Sequence, residues 1–454
     1  MADLGLSRIL GVERAYAARL YTDLPGAFVR QVLLAREPER RARFWNRWGF
    51  AAAPRAVADG PLVWIDVLSG GEVMQIHSFV RHLRDLLPRA RLVVSSNNQY
   101  SCDVARTIPG LDGVLDTPWD LRHVVRRALR RLRPSVLVCV ENLPWPVLVR
   151  EAQALGVRTA LCSGFMSKGF EGHETLWRSM PLGGYRCLDF VGAKTREDAE
   201  GFARIGVEPA RIRVVGNMRF DVEFHRLGAE EQAGWRRRLR VSDGQRIIVA
   251  GSVRAGEEAM VLEAFARVRR ERSDVVLFLA PSFFSPELDI EGTAARLGLT
   301  TRRRSQLDGR PRLDADVLVI DTFGELSRLY SVADLVFIGG SIRPASRLGY
   351  GNNIVEPLIH RRPILFGPFM NRWAEITQSL RSVYPGLEVH DAGELAREVL
   401  SLLSQPEAVA AIARQADAII AEHADAPRRN AEFVRDVVTA PRGPATPGAR
   451  KGQP

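Results

Sequence analysis

The segment 337–357, FIGGSIRPASRLGYGNNIVEP, gathers the groups that a phosphate-bearing ligand needs. An apolar run (Leu335, Val336, Phe337, Ile338) reads as a strand that stops at Gly339, Gly340 and Ser341. Gly351, Asn352 and Asn353 then lead to Glu356-Pro357, where a helix should begin. Glycines at a strand's carboxyl end let backbone approach a phosphate, and a helix N-terminus offers unpaired N–H groups. A carboxylate just behind, Glu356, suits a ribose diol. Taken alone, the segment fits a plain glycine-rich turn of an α/β domain equally well.

A candidate base stands at 69–72, Ser-Gly-Gly-Glu, after another strand-like run. Gly71 and Glu72 would lie at the carboxyl edge of a sheet, where open α/β folds bind ligands. Glu72 could take a proton from an attacking hydroxyl, or serve only as a helix-terminus charge partner or cap. At 141–146, ENLPWP, two prolines fix a loop that would present Glu141 and Trp145 to a cleft. Trp145 suits a sugar or acyl face, or a core position. The stretch 216–221, GNMRFD, reads as hinge material, with Arg219 and Asp221 equally an ordinary surface pair. In 251–258, GSVRAGEE, the residues Ser252, Arg254 and Gly256 suit a phosphate or pyrimidine nucleotide, and Glu325 of DTFGEL holds a corresponding strand end.

These residues need a frame. From residue 62 on, short apolar runs alternate with helix-length amphipathic segments, which implies helix crossovers between parallel strands. The runs 62–68, 91–96, 135–141, 157–163, 190–193 and 212–215 are expected strands of one sheet. The runs 246–251, 275–280, 316–320, 335–339 and 363–366 belong to a second. Continuous apolar runs, instead of alternating ones, mark strands covered on both faces. Between 72 and 87, Ile76, Phe79, Val80, Leu83 and Leu87 recur at helical spacing. The expected fold class is α/β of the GT-B type: two Rossmann-like, doubly wound domains facing a central cleft. Its parts are an amphipathic segment at 1–50, a domain at 51–222, a linker at 223–244, a second domain at 245–438 and a disordered tail at 439–454.

With 454 residues, 46% of them hydrophobic and 26% charged, the chain suits a two-domain globular protein. Its four cysteines are scattered, without metal-ligand spacing, so no metal site is expected and buried reduced thiols imply a cytoplasmic setting. Net charge is +11, and nearly all basic residues are arginine; only Lys168, Lys194 and Lys451 are lysine. Such an excess fits phosphorylated substrates, an anionic membrane face or nucleic acid, while arginine-rich codon usage explains it equally well. No nucleic-acid-binding signature accompanies it, so no nucleic-acid partner is expected. Between 16 and 50, apolar clusters alternate with arginines and end in Phe44, Trp45 and Trp48, which fits either a membrane interface or the protein's own domain.

In order and wording these segments resemble the 3-deoxy-D-manno-octulosonic acid (Kdo) transferases. The matching pieces are Gly71-Glu72, Glu141 with Trp145-Pro146, and 216–221. Next come Ser252 with Gly256-Glu257-Glu258, then 321–326 and 337–341. Last are Gly351 with Asn353, Glu356-Pro357 and Phe366-Gly367-Pro368. The resemblance implies an inverting, metal-independent glycosyltransferase that needs no cofactor and moves Kdo, or a related acidic sugar, from a CMP-activated donor to a lipid A precursor. It implies lipopolysaccharide synthesis at the cytoplasmic face of the inner membrane. Glu72 aligns with the family's base; Glu356 would hold the cytidine ribose, and Gly340, Ser341 and Asn353 the phosphate.

Departures from the family pattern are concentrated in cations and imidazoles. Phe165 stands in place of an arginine, Leu143 in place of a glutamate, and Asn352 in place of a histidine. Ser252-Val253-Arg254 replaces Ser-Thr-His, Pro281-Ser282-Phe283 replaces Pro-Arg-His, and Gly367-Pro368-Phe369 replaces Gly-Pro-His. Arg254 can stand in for one lost group, and Arg343 or Arg347 for another. The other function class they leave open is a glycosyltransferase-like scaffold without donor chemistry.

Overall fold

Valine-, leucine- and isoleucine-rich runs in the first half form strands whose side chains are covered on both faces. They are β1 (Leu62–Val67), β2 (Arg91–Ser96), β3 (Gly113–Asp116), β4 (Val136–Val140), β5 (Arg158–Gly164), β6 (Phe190–Ala193) and β7 (Ile212–Val214). All pair in parallel, in the order β3-β2-β1-β4-β5-β6-β7. Val63, Ile65 and Val67 join the core on one face, and Leu62 and Trp64 join that on the other. This computed structural model describes residues 38–51, 60–142, 145–166, 184–222, 226–282, 288–307, 311–343 and 351–440. The expected segment 1–50 up to residue 37, and the tail from 441, lie outside the described residues.

The helical segment expected at 72–87 is two helices, α1 (Gly70–Met74) and α2 (His77–Leu86). Its spacing holds across the break: Ile76, Phe79, Val80 and Leu83 are buried in one cluster, with Leu87 packed against it. The other face of the sheet is covered by α3 (Arg122–Leu132) and the helix Pro146–Ala154, through Leu129, Leu132, Leu148 and Val149.

The second sheet comprises β8 (Arg246–Val253), β9 (Val275–Pro281), β10 (Thr301–Arg303), β11 (Val317–Val319), β12 (Leu335–Ile338) and β13 (Ile364–Phe366). It is parallel throughout, in the order β10-β11-β9-β8-β12-β13. The helices α4 (Glu258–Glu271), α5 (Leu326–Val332) and α6 (Val355–Ile359) follow β8, β11 and β12. Both sheets hold an edge strand that the hydrophobic pattern missed. GVLD of β3 and TRR of β10 are short, and neither is a continuous apolar run.

Two expected boundaries change. The chain forms two compact units, one ending at Asp221 and resuming at Asp425, the other Val222–Ala424. Helix α7 (Ala426–Thr439) therefore lies in the first unit, not in the second as the span 245–438 required. Its Phe433, Val434 and Val437 enter the core of Val138 and Val140, on the face that α2 covers. Polar ties reinforce this: Asn430 Oδ1 accepts the Ser163 N–H at 3.0 Å, and Arg158 Nη1 donates to the Val438 carbonyl at 2.9 Å. The span 223–244 is not merely a linker, because helix Ala229–Arg238 belongs to the second unit.

Candidate active site

In each sheet the chain crosses back to the far side of its first strand. In the first, the chain builds outward from β1 to β2 and β3, then crosses back to lay β4 against β1. In the second, β12 returns to pair with β8 on the side away from β9. The crevice outside the carboxyl ends at such a switch point is where open α/β sheets bind ligands. Both groups of candidate residues stand there.

At the β1/β4 switch, Ser69 caps α1 and Glu72 occupies its first turn. Glu72 is buried, and its Oε2 accepts the Leu68 N–H at 2.6 Å. One oxygen thus ties the helix start to the end of β1, while Ser69 and not Glu72 is the N-cap. The other, Oε1, makes no hydrogen bond among the described residues, which leaves it for a ligand. Burial raises the Glu72 carboxyl to about 7, and the neighbouring Glu141 adds to the shift. The Leu68 N–H and Arg219 oppose it, and Asp66 contributes weakly in the raising direction.

Glu141 is not presented outward by its proline loop. It is fully buried, with its backbone in the left-handed region at φ 60°. Arg219 grips it with two bonds, Nε to Oε1 and Nη2 to Oε2, each 2.7 Å, and Lys194 Nζ donates to Oε1 at 2.6 Å. Two cations on one carboxylate offset the desolvation that a buried charge suffers. Arg219 and Asp221 are thus not a surface pair. Asp221 is buried too, accepting the Ser78 N–H and hydroxyl at 3.1 and 2.9 Å at the start of α2. Residues 215–221 are buried throughout, so the segment expected as a hinge is a latch inside the first unit.

Beneath these residues lies Asp66, on β1, which the sequence reading passed over. Its carboxylate accepts bonds from the Ser95 hydroxyl (2.6 Å), the Thr117 hydroxyl (2.7 Å) and the Trp145 Nε1–H (2.8 Å). Burial lifts it to about 6 against those three donors. Trp145 is partly buried against the core, so it anchors the loop as well as bordering the site.

At the β8/β12 switch, the expected phosphate cradle is already filled. Glu257 accepts the N–H groups of Gly340 at 2.6 Å and of Ser341 and Ile342 at 3.1 Å each, together with that of Arg254 at 3.0 Å. The Ser341 hydroxyl is spent as well, donating to the Ile338 carbonyl and accepting the Gly367 N–H. The expectation that Gly340 and Ser341 hold phosphate through these groups is therefore corrected: they are structural. Gly339 allows close backbone approach, since a Cβ there would lie 2.5 Å from Val253 Cα. Asn352 clips the two strand ends together, its Nδ2 donating to the carbonyls of Ser252 (2.9 Å) and Gly339 (2.7 Å). Its Oδ1 lies 3.4 Å from Arg254 Nη2.

Asn353 accepts the Val355 N–H at 3.1 Å and donates to Glu356 Oε1 at 2.9 Å. It is thus engaged just ahead of α6, which spans only Val355–Ile359 and has Ile354 at its N-cap position. Complete burial pushes the phenol of Tyr330 up, Glu356 adds to the shift, and the ring lies against Gly251 on β8. The structure thus brings Ser252, Arg254, Gly256, Gly339, Gly340, Ser341 and Asn352 together, with Asn353 just before the next helix and Glu356 on it. Glu325 stands at the N-cap position of α5, after β11, bonded to Arg304 Nη2 at 3.1 Å and Thr322 Oγ1 at 2.5 Å. Gly71 lies in ordinary contact range of Arg219, a Cβ there being 3.5 Å from Nη1. Leu143, Phe283 and Arg347 lie outside the described residues. Sequence reasoning missed Lys194 and Asp66, and it had Glu257 only as part of a motif.

Comparison with known proteins completes the description. Residues 42–222 match the family model for 3-deoxy-D-manno-octulosonic-acid transferase (kdotransferase). A Bordetella pertussis protein named 3-deoxy-D-manno-octulosonic acid transferase is 28% identical over 409 residues, 87% of this chain and 91% of its own. The Chlamydia muridarum transferase of the same name is 26% identical over 405 residues, 86% of this chain and 91% of its own. Among solved structures, Anabaena HepE in complex with UDP-glucose superposes with a TM-score of 0.57 at 15% identity, covering 83% of this chain and 99% of that one. A glycosyltransferase from Rickettsia africae gives a TM-score of 0.57 at 12% identity, covering 84% of this chain and all of that one (100%). At such identities the structures speak for the fold, two parallel-sheet Rossmann-like domains of the GT-B class. With that fold, and with similarity to named Kdo transferases along most of its length, the chain is a glycosyltransferase that resembles the Kdo transferases.

Proposed function

We propose that this chain transfers Kdo from a CMP-activated donor to a hydroxyl of a lipid A precursor in lipopolysaccharide synthesis. The observation that carries the reading is Glu72: a buried carboxyl near pKa 7, at a switch point, with one oxygen uncommitted. A general base works best when its pKa lies near the operating pH. In this scheme Glu72 takes the proton of the acceptor hydroxyl as that oxygen bonds to the anomeric carbon of Kdo. The bond from that carbon to the phosphate oxygen breaks on the opposite face, CMP leaves with the electron pair, and the configuration inverts. Glu141 tunes the base, while Lys194 and Arg219 hold Glu141 in place. In the second domain Glu356 is the candidate for the ribose.

The acceptor class implies work at the cytoplasmic face of the inner membrane. No described helix is long and apolar enough to cross a membrane. What supports surface docking is a wet aromatic pair, Trp45 at 50% and Phe50 at 40% exposure, edge to face at 5.4 Å. Arg127 of the arginine-rich α3 lies 4.3 Å above Phe50, a combination suited to an anionic interface.

Incubating the purified chain with CMP-Kdo and a lipid A precursor, then weighing the lipid by mass spectrometry, tests the reading. Addition of one or more Kdo masses is expected. An unmodified lipid, with no CMP binding at millimolar concentration, would instead establish the scaffold alternative.

A further inference from the structure

Backbone amides are not what remains for an anion at the β8/β12 switch point, because Glu257 has taken three of them from the segment after β12. Positive charge there must come from side chains. Two guanidiniums supply it, in a reciprocal arrangement. Arg254, on the turn after β8, lies over Gly340, where a Cβ would be 2.8 Å from its Nε. Arg343, on the segment after β12, lies over Gly256 of the β8 turn, where a Cβ would be 2.9 Å from its Nη1. Both glycines have left-handed backbones, φ +69° and +88°, so each turn is shaped to admit the other's arginine.

Neither guanidinium has a carboxylate partner among the described residues. Arginines elsewhere in the same domain commonly do: Arg246 with Asp334, Arg269 with Asp316, Arg303 with Glu291 and Arg304 with Glu325. Arg254 makes one long contact, to Asn352 Oδ1, and its Nη1 is buried without a hydrogen-bond partner. A buried N–H left unpaired is costly, so such a group calls for an acceptor. Asn352, held at Nδ2 by two strand-end carbonyls, keeps its Oδ1 turned to Arg254 and positions the guanidinium.

We propose that Arg254 and Arg343 form a two-guanidinium clamp for a ligand that carries two anionic groups, a nucleotide phosphate and a sugar carboxylate. Guanidinium presents paired N–H donors that match either anion, which a single ammonium cannot do. The identity of the ligand rests on the donor reading above; the anion specificity does not.

Calorimetric titration of the full chain with CMP, cytidine, UMP and inorganic pyrophosphate tests the clamp, in wild type, Arg254→Gln and Arg343→Gln. The expected result is tighter binding of CMP than of cytidine by wild type, with about a tenfold or greater loss of CMP affinity in at least one variant, the one whose arginine holds the phosphate. Cytidine affinity should not change, which separates anion recognition from a structural defect. Equal losses for CMP and cytidine, or wild-type binding that ignores the phosphate, would overturn the clamp. If CMP fails to bind while UMP or pyrophosphate binds in an arginine-dependent way, the clamp stands and the cytidine donor falls. Binding of no probe by wild type overturns both.

Discussion

Lys194 holds its ammonium 4.9 Å from the centre of the Phe165 ring while donating to Glu141 at 2.6 Å. Phe165 occupies the position where the family pattern described above has arginine. A cation thus stands beside that position: Lys194, from the end of β6, reaches the buried carboxylate next to the Phe165 ring.

A cation beside that position predicts partial interchange. Lys194→Met should destabilise the first domain by about 1.5–3 kcal/mol, since it removes a hydrogen bond to a buried charge that Arg219 still pairs. Adding Phe165→Arg to that variant should recover part of both the melting temperature and the transfer rate. A double-mutant cycle showing strictly additive losses would refute the exchange.

Glu72 predicts the pH dependence of transfer. With its carboxyl raised to about 7, the rate should climb as pH rises through neutrality and level off above it. Glu72→Gln should lower the rate by about two to four orders of magnitude and leave CMP affinity intact. A rate profile flat from pH 5 to 9 in wild type, read with saturating substrates, would remove Glu72 as the base.

The same residue predicts a stability difference of definite sign. Its ordinary carboxyl value is 4.5, and its folded value is about 7. Between those values the folded state binds the proton more tightly, so its advantage is full below 4.5 and lost as pH rises through 7. Wild type therefore loses stability that an amide would keep. Glu72→Gln should gain melting temperature over wild type at pH 8, by an amount corresponding to at most about 3 kcal/mol, and the gain should vanish near pH 4. Thermal scans at both pH values decide it; a gap that does not change with pH contradicts the buried carboxyl.

Glu257 predicts a chemical rescue. Glu257→Ala leaves the N–H groups of Gly340, Ser341 and Ile342 without their acceptor, which should lower stability by about 2–4 kcal/mol. Phosphate or sulfate should then raise the melting temperature of the variant more than that of wild type, by taking the emptied position. Equal salt responses in the two proteins would show that the carboxylate acts in some other way.

Much of the frame was legible because strands buried on both faces must be continuously apolar. β2 and β6 fall where their runs do, and β1 and β4 within a residue of them. The edge strands β3 and β10 were hidden, since no continuous apolar run marks either of them. Glu72 was legible from its place at the end of the first strand. Its surroundings were not, because Glu141 takes its cations from positions 53 and 78 residues further along. No local pattern announces a partner at that separation. Glu257 misled for the same reason: it looked like part of a phosphate turn, but the amides it fills lie 83 to 85 residues away.

Helix α7 gives the protein an unusual order of assembly. A ribosome releases residues 222–424 before it releases 426–439, so the second unit, one unbroken stretch, is ready to fold first. The first unit waits with the face over Val138 and Val140 covered only in part, by α2, until Phe433, Val434 and Val437 arrive. Domains made early on the ribosome ordinarily finish early. Here the domain begun first is completed last, and a premature stop ahead of α7 would ruin the half that holds Glu72 while sparing the half that holds Arg254.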